Sequence, residues 1–243
     1  MIDLHCHILP GVDDGALDFP DSLGLARQAV NDGIARVCAT PHIRHDHDVR
    51  IAELAGRVEA LNQRLEAAAL PITVLTGGEV AETAVEGLSE AELEQVALGT
   101  GRWILLEPAP GPLTDRLHDR VAHLARRGHR ALIAHPERHL AADMYERLAA
   151  LIAAGALVQA TADYFLGERA APGMKALAEA GLIHVLGSDA HSSHGGRPLH
   201  LAEAFRVLAG IEAVAPHLEW MRDSAPRAIV EGDEVMLPFG PVI

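Results

Sequence analysis

Two histidines, His5 and His7, stand one residue apart in MIDLHCHILPGVDDGA at the start of the chain. In an extended strand alternate side chains share a face, so these two imidazoles point together while Leu4 and Cys6 point away. Further imidazoles and carboxylates recur along the sequence. Asp14 lies in VDDG, His42 closes VCATPH, Glu79 closes TVLTGGE, Glu107 closes WILLE, His135 closes ALIAH, and Asp189 and His191 lie in HVLGSDAH. Nine such donors exceed the roughly four to six that one zinc- or manganese-type ion uses, which implies two or three divalent ions bridged by carboxylates and solvent. Imidazole and carboxylate without thiolate suit manganese first, with iron or zinc as the alternatives. The cations would also offset the mutual repulsion of Asp14, Glu79, Glu107 and Asp189. A centre of this kind provides a bridging hydroxide near neutral pH and polarises a phosphoryl or carbonyl oxygen, so the reaction class is metal-assisted hydrolysis. Arg138 in AHPERH and Arg197 in HSSHGGRP stand a few residues beyond two of the donors. A guanidinium stays charged at working pH and grips phosphoryl oxygens in pairs.

Short apolar runs alternate with longer helical stretches and must position these donors. The pattern predicts strands over 2–5, 35–40, 72–76, 103–106, 131–134, 157–160 and 183–186. It predicts helices over 21–32, 49–69, 90–97, 113–127, 144–153, 172–180 and 199–208. A repeated strand-then-helix unit demands a parallel sheet with right-handed crossovers. The donors fall at the C-terminal ends of six of the seven strands. In an open sheet, with neighbours about 4.8 Å apart, the outer strand ends are too distant to share one site. A barrel gathers all of them around one mouth. The expected architecture is therefore an α/β, distorted (β/α)7 TIM-like barrel forming a single domain over residues 1–243.

Composition narrows the function further. Of 243 residues, 49% are hydrophobic and only 3% aromatic, which predicts a core of Ala, Leu, Val and Ile. With 20 basic residues against 34 acidic ones, the net charge of -14 argues against a general binder of nucleic acid or anionic membranes. The two cysteines, Cys6 and Cys38, sit in apolar runs and predict buried thiols in a reducing cytoplasm rather than a disulfide framework. No secretory leader and no apolar run of roughly 20 residues is present, so direct membrane insertion is not expected. The glycines Gly195 and Gly196 would let the loop carrying Arg197 fold over the mouth. IRHDHDVR, directly after His42, reads either as a substrate-facing loop or as a solvated charge run. His118, His123, His129, His200 and His217 read as solvated helix residues, and His194 lies near enough to Asp189 and His191 to be considered as a proton donor.

With these residues in place, the chain resembles the polymerase and histidinol phosphatase (PHP) superfamily, and within it the bacterial manganese-dependent protein-tyrosine phosphatases of capsular and exopolysaccharide synthesis. The resemblance rests on HCHILPGVDDGA, ATPH at 39–42, GGE at 77–79, LLE at 105–107, AHPER at 134–138, SDAH at 188–191 and GRP at 196–198, in order over nearly the whole chain. It implies a PHP fold, three metal ions, and hydrolysis of phosphotyrosine on a membrane-associated tyrosine autokinase that controls polysaccharide chain length. It places the ligand roles on the same nine residues, with Asp14 rather than Asp13 taken from VDDG, and phosphate binding on Arg138 and Arg197. The chain departs from the usual pattern in LLEPAPG, which lacks an aromatic after the glutamate, and at Ile43, His139 and Thr161. None of these removes a ligand, so the departures bear on substrate preference.

Three other readings compete. A PHP phosphoesterase for a small monoester such as histidinol phosphate would share the metal set and differ in its loops. An amidohydrolase also begins with His-x-His, but its dinuclear form uses a carboxylated lysine at a strand end. The only lysine, Lys175, lies in a helical stretch. A non-catalytic metal-binding regulatory module would need neither open coordination positions nor the two arginines.

Overall fold

Strand β1 (Ile2–Cys6) is buried along its whole length, as a parallel strand covered on both faces must be. The computed structural model describes residues 1–195, 197 and 199–242. Gly196 and Pro198, which flank Arg197 in the expected loop, lie outside the described residues. Eight further strands follow: β2 (Arg36–Ala39), β3 (His42–Ile43), β4 (Thr73–Leu75), β5 (Glu79–Ala81), β6 (Trp103–Glu107), β7 (Arg130–Ala134), β8 (Leu157–Thr161) and β9 (Val185–Gly187). All named pairings are parallel.

The strands form two sheets, one in the order β1-β2-β4 and one in the order β3-β5-β6-β7-β8-β9. The hydrogen-bonded ladder is therefore not continuous through all the described strands, as that of a regular barrel would be. The cause is local. Pro41, which has no N–H to give to a ladder, separates β2 from β3, and Gly77 and Gly78 separate β4 from β5. His42 and Glu79 therefore open new short strands, in register with each other, rather than ending the strands before them. At the other margin the Asp189 amide donates to the His5 carbonyl at 2.8 Å, and the His7 amide to the Ala190 carbonyl at 2.9 Å. These bonds place the end of β1 beside the segment that follows β9.

Helices α1 (Phe19–Asn31), α2 (Leu54–Ala67), α3 (Glu90–Val96), α4 (Asp115–Arg126), α5 (Met144–Ala153), α6 (Ala171–Glu179), α7 (Leu201–Ala209) and α8 (Ala225–Glu231) complete the fold. The expected helix at 49–69 begins as a 3-10 turn over Ile51–Glu53. Asp18 caps α1 by accepting from the Asp21 amide, and Ser89 with Glu92 forms a capping box on α3. Alternation along the strands feeds two cores. Ile104, Leu106 and Ile133 pack with Leu117, Val121 and Leu124 of α4. Leu105, Leu132 and Ala134 pack instead with Leu4, Cys38 and the α8 residues Ala225, Ile229 and Val230. That helix was not expected from the sequence. Both cysteines are free and buried, and no described helix is long and apolar enough to cross a membrane.

Asp3 ties β1 to the last strand end: its Oδ1 accepts from the Ser188 amide at 3.0 Å and its Oδ2 from the Ser188 hydroxyl at 2.5 Å. Complete burial pushes its pKa up from 3.8 to about 6 despite these bonds. A carboxyl whose folded pKa lies above its unfolded value favours the fold fully below pH ~4, and that advantage is lost as pH rises through ~6, with a penalty of ~3 kcal/mol above it. Asp3→Asn can keep both contacts, because the Ser188 hydroxyl can turn to donate to the His5 carbonyl, 3.0 Å away. In metal-free protein, urea unfolding should show this variant more stable than wild type by ~2–3 kcal/mol at pH 8 and little changed at pH 4. An equal difference at both pH values would contradict the assignment.

Candidate metal centre

His5, on β1, and His7, just beyond it, bring their Nε2 atoms to 3.3 Å of each other. Nδ1 of His5 lies 2.9 Å from Gln159 Oε1, and Nδ1 of His7 lies 2.7 Å from Asp13 Oδ2. In the neutral rings each Nδ1–H donates outward, so both Nε2 lone pairs turn into one space. Glu79 Oε2 is 3.4 Å from each Nε2, while Asp189 Oδ1 is 3.4 Å from that of His5 and 3.5 Å from that of His7. On its other side Glu79 meets His135 Nε2 at 2.7 Å through Oε1. Its Oε2 also approaches His42 Nδ1 to 2.9 Å, yet neither of those two buried atoms has a hydrogen-bond partner. Glu107 Oε2 stands 3.9 Å from the same His42 nitrogen. Asp14 Oδ1 completes the mouth, 3.4 Å from His42 Nε2 and 3.6 Å from His191 Nε2.

The nine residues singled out in the sequence thus converge. They form overlapping groups with the spacing of metal ligands: His7, Asp14, His42 and His191; His5, His135 and Asp189; His5, His7 and Glu79; and His42, Glu79 and Glu107. Orphaned lone pairs facing one another, in a pocket lined by carboxylates, fit divalent cations.

Local backbone geometry is bent to achieve this. His135 (φ 32°) and Asp189 (φ 54°) occupy the left-handed region, which costs a side-chain-bearing residue on the order of 1–3 kcal/mol and persists only where the surroundings over-determine it. Two glycines allow close approach. A Cβ on Gly15 would fall 2.3 Å from the His7 carbonyl oxygen, and one on Gly187 would fall 2.8 Å from His5 Cβ.

The field inside the site calls for positive charge. Burial opposes protonation of His5, but the carboxylates of Glu79 and Asp189 raise its pKa above the ordinary imidazole value, and Asp13, Asp189 and Glu79 do the same for His7. Burial alone would raise Glu79; His5 and the bond from His135 outweigh it and hold the carboxyl well below the usual range. Glu107 moves the other way, raised by burial and by the Glu79 charge. His135 and His191 are pulled down to about 4, chiefly by burial, and stay neutral with lone pairs available at pH 7.

Both expected arginines reach this centre. Arg138 bonds Asp189 Oδ2, and Arg197 Nη1 lies 2.7 Å from the same oxygen, so Asp189 turns one oxygen to the imidazoles and the other to the guanidiniums. Arg197 Nη2 also sits 3.0 Å from His191 Nε2. From IRHDHDVR, Arg44 pairs with Asp46 and comes within 3.4 Å of Glu107 Oε1, and the His47 ring lies 4.9 Å from that of His42. His194 is exposed. His129, expected to be solvated, is buried because its Nε2 meets Glu90 Oε1 at 2.7 Å. Three positioning groups were not singled out as such in the sequence. Asp13 holds His7, and Gln159 holds His5 from β8, the one strand from which the sequence offered no donor. A glutamine inside the apolar run ALVQAT was the available signal. Asp21 is a third: its Oδ1 accepts from the Ser193 amide at 2.7 Å and its Oδ2 from the Leu17 amide at 3.1 Å, tying the first loop to the last.

Parallel α/β sheets with several candidate metal positions at the strand ends define the class of protein. The sequence profile of the family described as "Capsular polysaccharide synthesis, CpsB/CapC" matches residues 1–213, and the chain belongs to that family. It is 37% identical over 218 residues to the tyrosine-protein phosphatase YwqE of Bacillus subtilis (strain 168), covering 86% of this chain and 84% of that protein. It is 30% identical over 212 residues to the putative tyrosine-protein phosphatase CapC of Staphylococcus aureus, covering 84% and 82%. A chain from the crystal structures of YwqE from Bacillus subtilis and CpsB from Streptococcus pneumoniae, described as unique metal-dependent tyrosine phosphatases, superposes with a TM-score of 0.84 at 30% identity and full coverage of both chains.

Proposed function

We propose that this protein is a metal-dependent phosphatase that hydrolyses phosphotyrosine on a protein, with His5, His7, Asp14, His42, Glu79, Glu107, His135, Asp189 and His191 as ligands of two or three divalent ions. The observation that carries the reading is Glu79 Oε2, buried without a hydrogen-bond partner while facing the nitrogens of His5, His7 and His42. Bound there, divalent ions would supply Lewis-acid activation of water and neutralise phosphoryl charge. The chain itself does the rest. Gln159 and Asp13 fix the ring orientation of His5 and His7, and Arg138 and Arg197 hold the non-bridging phosphoryl oxygens as charge builds on them.

Manganese is the proposed metal, since the donor set is all imidazole and carboxylate. The bonds from His7 to Ala190 and from Asp189 to His5 support reading the two sheets as a distorted seven-position barrel within one domain. The family description, capsular polysaccharide synthesis, supports a phosphotyrosine protein of that process as the substrate; a membrane-associated tyrosine autokinase, met in the cytoplasm, is the substrate we propose from the resemblance.

The test joins elemental metal analysis with steady-state kinetics after manganese reconstitution. Two or three metals per chain and a higher kcat/KM on a phosphotyrosine peptide than on histidinol phosphate are expected. Preference for histidinol phosphate would move the substrate to a small monoester, and a protein that takes up no metal would overturn the centre.

A further inference from the structure

The turn that carries Arg138 has a second face. Across Pro136–Arg138, His135 faces Glu79 and Arg138 faces Asp189, whereas Glu137 between them lines a separate cavity of about 330 Å³. The walls are mainly apolar, with Leu140, Met144, Tyr164, Met174 and Leu177 among them, and the exposed Arg169 lines the cavity as well. Two features mark it as a place for a ligand rather than a packing gap. Glu137 is 94% buried; its Oε1 accepts from the Thr161 amide at 2.9 Å, but its Oε2 has no partner, an arrangement that costs free energy until a donor arrives. Leu140, by contrast, is 75% exposed at the lip, where a large aliphatic side chain gains nothing from water.

We propose that this cavity receives the side chain of a residue flanking the phosphotyrosine in the substrate, one with an apolar body and an N–H or O–H donor for Glu137. The inference rests on the phosphotyrosine reading above. Its place beside the reaction centre argues for a peptide neighbour: one short turn, Pro136–Arg138, supplies both the arginine that reaches Asp189 and a wall of the cavity. The mostly apolar lining with a single buried acceptor sets the chemistry of the guest.

Gly173 offers a clean test. It lines the cavity from α6, its backbone needs no left-handed conformation, and a Cβ added there meets nothing within 4 Å. Gly173→Leu can therefore add a bulky side chain at the cavity wall without a backbone clash, and it improves helix propensity. The manganese-reconstituted wild type and variant would be compared on phosphotyrosine peptides with Ala, Leu or Trp beside the phosphotyrosine, and on para-nitrophenyl phosphate. Wild type is expected to prefer the Trp peptide over the Ala peptide by about tenfold in kcat/KM, with Leu between them. Gly173→Leu should lose that preference and keep its turnover of para-nitrophenyl phosphate. Ala141→Leu, filling the same cavity from the segment after Leu140, should behave alike, so a folding defect in one variant does not decide the result. Equal peptide ratios in wild type and both variants would overturn this inference alone. A wild type that cleaves para-nitrophenyl phosphate but no phosphotyrosine peptide would overturn the phosphotyrosine reading and this inference with it.

Discussion

Glu79→Gln is expected to release metal from the centre and lower phosphatase turnover by on the order of 10³-fold while leaving the fold intact. Glu79 is the side chain on which the imidazoles converge. Its Oε1 meets His135 Nε2 at 2.7 Å, and its Oε2 stands 3.4 Å from His5 and His7 and 2.9 Å from His42. Glutamine keeps the volume but removes the charge at full burial, where a charge acts over a short distance with little screening. It also replaces one acceptor by an NH2 that can donate to a ring lone pair, closing the space against a cation. The same donation satisfies the buried amide, so the fold should persist, with some stability lost in metal-free protein because the contacts from His5 and His135 that hold the carboxylate ionised are weakened. Elemental analysis beside single-substrate turnover checks this. A variant with the full metal complement and wild-type turnover would show that Glu79 is only a structural acceptor. Glu107→Gln should be milder, because that carboxylate is partly open to solvent and faces one imidazole from 3.9 Å.

The donors were legible because each is of a type that an apolar strand excludes unless it is used. His42, Glu79, His135 and Asp189 all stand within a few residues of runs of Val, Leu, Ile and Ala, and each shares a ligand group with others of the nine. Strand identity was legible for the same reason, through apolar runs of strand length. The sheets were not, because Pro41 and the Gly77–Gly78 pair break the ladder without changing the hydrophobic pattern. Asp13 and Asp14 show the limit most sharply. Adjacent and chemically identical, they are told apart only by the turn: Asp13 accepts from His7 and from the His42 amide at 2.9 Å, whereas Asp14 is left facing His42 and His191. The C-terminal helix α8 was missed because its apolar positions are few and its partners, Leu105 and Leu132, lie about a hundred residues away or more in sequence.

Arg197→Ala should lower kcat by about 10²-fold without loss of bound metal. The guanidinium bridges two sides of the centre, with Nη1 2.7 Å from Asp189 Oδ2 and Nη2 3.0 Å from His191 Nε2. A planar fork so placed can turn both nitrogens to phosphoryl oxygens, and its contact strengthens as negative charge accumulates in the transition state. The loss should therefore fall on kcat more than on KM. Lysine at the same position carries the charge but not the fork, so Arg197→Lys should recover only a minor part. Arg138 reaches the same Asp189 oxygen, which makes the two arginines partners on one acceptor. Removing both should cost less than the product of the single losses, because each variant already disrupts the shared geometry. Unchanged kcat in Arg197→Ala would remove this residue from phosphate binding. A fall in activity matched by a fall in metal content would instead make it a support for Asp189 and His191.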